Sequence, residues 1–181
     1  MFHPVLNRCL RLFGCCLVLV FAPTVLASFS MMRPAVSDNI DRVLVEKSAR
    51  IIYLMEGDNI VRSYPIALGK NPKGHKQQAG DGRTPEGRYT LDWRNPNSRY
   101  YRSIHISYPN EQDLELAQTH NRDPGNLIMI HGSPAWVPSP EWASEWLHKD
   151  DWTEGCIAVT NDVMDEIWNL VKDGTPIEIR P

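Results

Sequence analysis

Cys156, in the run Thr153-Glu154-Gly155-Cys156-Ile157, and His131, in Ile130-His131-Gly132, are the residues of this chain best suited to chemistry together. An ordinary thiol is mostly protonated at neutral pH, so a useful cysteine nucleophile needs a base or a field that favours the thiolate. A neutral His131 can take the proton from Cys156 and return it to a leaving amine. No Asp or Asn stands beside His131, so the nearest group to aim its ring is a backbone carbonyl, that of Gly132. Gly155 lets the backbone approach a substrate closely, and the amides of Gly155 and Cys156 are candidates to stabilise an oxyanion. These roles add up to acyl transfer through a thioester. Taken singly, His131 reads equally as a core histidine and Cys156 as a small buried hydrophobe.

What turns the pair toward chemistry is the isolation of the thiol. Residues 1–27 read as a secretory signal: Arg8 and Arg11, an apolar stretch over 12–26, and Val25-Leu26-Ala27 at the cleavage position. Cys9, Cys15 and Cys16 leave with it, and an exported chain is then left with one thiol that has no disulfide partner. Residues 28–40 read as a short tether and 41–181 as one catalytic domain. Loss of Arg8 and Arg11 makes a formal net charge of −3 more negative, and no Lys/Arg cluster survives, which speaks against a nucleic-acid partner.

The elements that must position the pair are mostly strands. Runs at 42–46, 50–55 and 60–68 are rich in Val, Ile and Tyr, with Gly57-Asp58-Asn59 as a turn, and imply antiparallel pairing. A Gly-, Pro- and Lys-rich loop spans 69–87 and ends in Thr84-Pro85-Glu86-Gly87; strands are expected at 88–93, 104–108, 127–130 and 176–180. One long helical period, with Val163, Ile167, Leu170 and Val171 on one face, starts near Asn161 and stops near Gly174. The fold class is therefore mainly β, a sandwich or barrel-like domain with one or two helices. Between His131 and Cys156 lie Trp136, Trp142, Trp146 and Trp152, and Ser139-Pro140-Glu141 reads as a helix start.

These residues resemble the YkuD-type L,D-transpeptidases. The family pattern is a His followed by a small residue and, after a gap, Ser/Thr-His-Gly-Cys with an apolar residue next; here it stands as His131-Gly132 and Thr153-Glu154-Gly155-Cys156-Ile157. Thr84-Pro85-Glu86-Gly87-Arg88-Tyr89 matches the upstream Thr-Pro-x-Gly turn, and the strand around His105 looks like the one preceding the catalytic His. The resemblance implies a periplasmic or cell-wall enzyme acting on peptidoglycan stem peptides, without a cofactor or metal. Its acceptor would be an amine from a second stem or a wall-linked protein. Carried over, Cys156 is the nucleophile, His131 the base and Gly132 the orienting carbonyl; Gly155, Cys156, Thr153 and His105 are expected at the oxyanion and substrate contacts. The chain departs from the pattern at Glu154, where the family often has His, and at Ala158, where it often has Arg or Asn.

No His-x-His or His-Glu-x-x-His spacing points to zinc, and no Gly-rich strand-to-helix turn points to a nucleotide. His75, His120 and His148 read as loop histidines without a specific task. Lys70, Lys73 and Lys76 read as a solvated edge of the long loop, and Asp150, Asp151 and Glu154 as solvent-facing acids. Two other readings stay open: a carboxypeptidase or endopeptidase hydrolysing the same kind of bond, and a non-catalytic wall-binding module.

Overall fold

Apolar, largely β-branched and aromatic runs in the first third of the domain build a three-strand meander: β1 (Arg42–Glu46), β2 (Ile51–Glu56) and β3 (Asn59–Pro65), paired antiparallel. The computed structural model describes residues 39–137, 139–147 and 149–181. The expected signal and nearly all of the expected tether lie outside the described residues. Ile40, assigned to the tether, is already in the hydrophobic core.

Five further strands complete one eight-stranded sheet: β4 (Gly87–Ser98), β5 (Tyr101–Ile106), β6 (Met129–His131), β7 (Ile157–Ala158) and β8 (Thr175–Arg180), in the order β3-β2-β1-β8-β4-β5-β6-β7. Two pairings are parallel, β1 with β8 and β6 with β7, which the expectation of consecutive antiparallel strands did not include. One face carries the core. Val43, Val45, Ile52, Leu54, Leu91, Ile104, Ile130, Ile157 and Ile177 are buried there, and helix α3 (Asn161–Leu170) packs Met164 and Ile167 against them. Arg94 holds the C-terminal end of α3 by donating to the carbonyls of Trp168 and Val171.

The two ends of the strand order meet. Past β3, Ala67 and Ala158 exchange both backbone bonds, at 3.0 and 2.9 Å. Thr153 N donates to Leu68 O and Lys70 N to Thr153 O, at 3.1 and 3.0 Å. The segment 153–158 is thus paired on one side with 67–70 and on the other with β6, and the sheet closes on itself, as the barrel-like expectation has it. Cys156 stands in that closing seam.

Three helices are present among the described residues, against the one or two expected. Helix α2 (Pro140–Leu147) begins where Ser139-Pro140-Glu141 placed it, with Trp142 N donating to Ser139 Oγ at 3.2 Å. The additional one is α1 (Glu111–Thr119). It has little apolar periodicity, and Leu114 and Leu116 are exposed. Its start is fixed by a capping box in which Asn110 accepts from Asp113 N and Asp113 accepts from Asn110 N.

Candidate active site

β6 ends in His131, whose ring is buried, and the chain turns away at Gly132. His131 Nδ1 lies 2.8 Å from Gly132 O. A carbonyl only accepts, so Nδ1 carries the hydrogen and Nε2 is left as the basic nitrogen. Gly132 itself is pinned by its amide to Tyr100 O at 3.0 Å, and a side chain there would meet Asn161 Oδ1 at 2.5 Å. Tyr100 and Trp152 wall the imidazole, with ring centroids 4.6 and 5.5 Å away. Burial pushes the His131 pKa down to about 4, although the Gly132 bond works the other way. The ring is therefore neutral at physiological pH.

Cys156 immediately precedes β7. Continuing the Ile130↔Ile157 register sets it opposite Met129. Met129 and His131 are two residues apart and share a strand face, so Cys156 and His131 are diagonal cross-strand neighbours on that face. Cys156 Sγ points at Leu127 O, 3.7 Å away. Burial raises the thiol pKa, opposed by the Met129 backbone amide and the Lys76 charge. At neutral pH both side chains rest uncharged, one a thiol and the other an imidazole.

The turn that presents Cys156 is held by Thr153. Its buried hydroxyl donates to Cys156 O at 2.7 Å and accepts from Gly155 N at 3.1 Å. Thr153 therefore shapes the loop, and the Gly155 amide is committed within it. Of the two expected oxyanion donors, only the Cys156 amide has no bond of this kind inside the turn. Gly155 has φ +130°, and a Cβ there would fall 2.5 Å from Arg83 O, in the segment leading into the Thr84-Pro85-Glu86-Gly87 turn. Gly155→Ala is expected to lose activity and about 2–4 kcal/mol of stability together, through strain and backbone collision. Thermal unfolding checks this, and an unchanged melting temperature would mean that the turn relaxes freely.

The upstream turn acts as a brace. Thr84 Oγ1 accepts from Gly69 N at 3.2 Å, and the buried Lys47 ammonium donates to Thr84 O, Gly74 O and Glu86 Oε1, at 2.9, 2.8 and 2.8 Å. His75, read from sequence as a loop histidine without a task, accepts from Glu86 N at 3.0 Å and sets Nε2 3.0 Å from the buried Asp113 carboxylate. Asp151, read as solvent-facing, instead pairs with Arg50 at 2.6 Å and accepts from Leu68 N at 2.9 Å. Both corrections have one cause: backbone amides and cations brought from distant segments need partners once buried. Glu154 does face solvent, where it pairs with Lys70.

A cavity of about 330 Å³ holds Cys156, with Lys76, Asn126, Leu127, Ile128 and Glu154 among its walls. Lys76 is 3% exposed, against the expectation of a solvated lysine. His105 is not among these walls. It sits on β5 opposite Met129, stacked on Trp93 at 4.7 Å, with Nδ1 2.7 Å from Asp92 Oδ1. Leu127, with φ +57°, and Tyr100 had no signal in the sequence; only the folded backbone brings them to the pair. Trp136 and Trp142 stand outside, 65% and 39% exposed, while Trp152 covers the base. A larger cavity of about 590 Å³, lined by Tyr101, Val137 and Asn161 among others, contains neither Cys156 nor His131. Among the described residues no group of three or more His, Cys, Asp and Glu side chains is arranged to hold a metal.

A family model for the L,D-transpeptidase catalytic domain (YkuD) matches residues 40–179. The Escherichia coli (strain K12) protein YafK, which carries a provisional L,D-transpeptidase name, is 32% identical over 135 residues, or 72% of this chain and 46% of its own length. The chain thus spans about half the length of the curated relatives it matches. Among solved structures, the helical cell shape determining protein Pgp2 of Campylobacter jejuni is 26% identical with a TM-score of 0.58, over 80% of this chain and 48% of that one. Bd1075 of Bdellovibrio bacteriovorus is 29% identical with a TM-score of 0.52, over 78% and 48%.

Proposed function

Since the chain belongs to the YkuD family of L,D-transpeptidase catalytic domains, we propose that it transfers an acyl group from peptidoglycan stem peptides through a thioester on Cys156. The observation that carries this reading is the His131 ring, its Nδ1 held by Gly132 O so that Nε2 is the basic nitrogen, on the strand whose register with β7 continues to Cys156. Nε2 takes the thiol proton as Sγ attacks the carbonyl of the residue before the terminal D-residue. The tetrahedral oxyanion collapses, the C–N bond breaks, and the departing amine takes the proton from Nε2. The Cys156 amide is the oxyanion donor in this scheme. An acceptor amine then gives a proton to Nε2, attacks the thioester and releases the sulfur, which recovers the proton.

A second reading has water in place of that amine, and one observation favours it. Among the described residues none from α2 lines the Cys156 cavity, which leaves that cavity open to water as a competing acceptor. We place the reaction in the periplasm or cell wall, in keeping with the signal read at 1–27 and with the substrate class.

The test is mass spectrometry of the protein incubated with a disaccharide-tetrapeptide. An acyl adduct on the peptide bearing Cys156 supports the thioester. Cross-linked product identifies an amine acceptor, and free tripeptide product identifies water. A substrate consumed with no adduct, even under rapid quench, would overturn the covalent route.

A further inference from the structure

The long loop 69–87 brings one cation into the site that the proposed reaction leaves without a task. Lys76 is buried and shares the cavity of Cys156. Its ammonium donates to Gln78 O at 3.1 Å and Asp81 Oδ1 at 2.9 Å. Asp81 is in turn fixed by the amides of Gln77, Gln78 and Arg83, at 2.8, 3.1 and 3.0 Å. The charge is thus held in place by a rigid loop rather than carried on a free side chain.

We propose that Lys76 is a positioning residue whose fixed positive charge favours negative charge on the Cys156 sulfur during attack. The other ionisable groups at this cavity do not supply such a field. Glu154 and Asp123 are exposed acids, and Glu154 is paired with Lys70. Charges in water are screened, whereas a buried one, here paired with Asp81, is screened much less. Burial alone drives the thiol toward its protonated form, and Lys76 is the charged group that opposes this. The inference rests on Cys156 being the nucleophile.

The test needs no substrate. Alkylation of the full chain by iodoacetamide is followed against pH through the mass of the peptide carrying Cys156. Lys76→Met is expected to move the profile to higher pH and to slow alkylation at pH 7 by about tenfold, and Lys76→Arg to recover most of the rate. An unchanged profile in a folded Lys76→Met protein overturns the proposal. Should Lys76→Met fail to fold, Asp81→Asn keeps the cation and removes its counter-charge. Faster alkylation of that variant at pH 7 supports the field, and an unchanged rate overturns it. A chain that alkylates as expected yet never takes an acyl group would instead count against the proposed reaction.

Discussion

Cys156→Ala is expected to remove turnover of a disaccharide-tetrapeptide altogether, a loss on the order of 10⁶-fold when the nucleophile of a covalent mechanism is deleted. The fold should survive. Cys156 is half-buried in a loop held by Thr153 Oγ1 and by the backbone bonds of the seam, none of which uses the sulfur. Losing the thiol then costs about 1 kcal/mol. The check pairs product analysis with a melting curve. Residual turnover at even a hundredth of the parent rate, in protein that melts normally, would move the nucleophile elsewhere.

His131→Ala is expected to slow acylation by about 10²–10⁴, the range for a general base, and to change how stability depends on pH. Burial sets the folded pKa near 4, against about 6.5 for a free imidazole. Below pH 6.5 the unfolded chain therefore binds a proton that the folded protein refuses. The stability contributed by a neutral His131 is whole above pH 6.5 and is lost as pH falls toward 4. At 1.36 kcal/mol per unit the loss by pH 4.5 is about 2–3 kcal/mol. Urea midpoints at pH 7 and 4.5 should separate widely for the parent and by less for His131→Ala. Equal separation in the two proteins would mean that the imidazole is not held neutral by burial. In the rate profile the acid limb belongs to the coupled Cys–His pair, and it should lie well below that of an exposed histidine.

The candidate pair drew attention because its signals are local: a thiol read as isolated by export, a glycine before it, and a His-Gly at a strand end. The strands expected at 42–46 and 50–55, found at 42–46 and 51–56, were legible from their Val, Ile and Tyr content and the turn after them, and α3 from its period and its ends. What escaped the sequence is set by distant segments. Helix α1 has exposed leucines where an amphipathic helix would bury them, and stands on a buried Asp113 that takes the Tyr89 hydroxyl and the His75 ring. The pairing Asn110-x-x-Asp113 is the one sequence signal that could have marked its start. Lys76 read as solvated because nothing in a Lys-rich loop says which lysine will be folded inward. Thr153 stood among the expected substrate contacts, and only its hydrogen bonds reveal that it builds the turn instead. The parallel pairing of β1 with β8 joins opposite ends of the domain and leaves no local trace.

Because segments 67–70 and 153–158 are laced together, Cys156 sits on the last rung of a ring and not at the frayed end of a ribbon. A ribbon sheds its edge strand cheaply, one residue at a time, so a reactive residue there would drift in and out of register while the rest stayed whole. A ring offers no such partial release: separating Ala67 from Ala158 also frees the loop braced by Thr84, and with it the wall that holds Lys76. The alignment of the thiol is thus tied to the loop that carries Lys76, and a disturbance of either segment reaches the other.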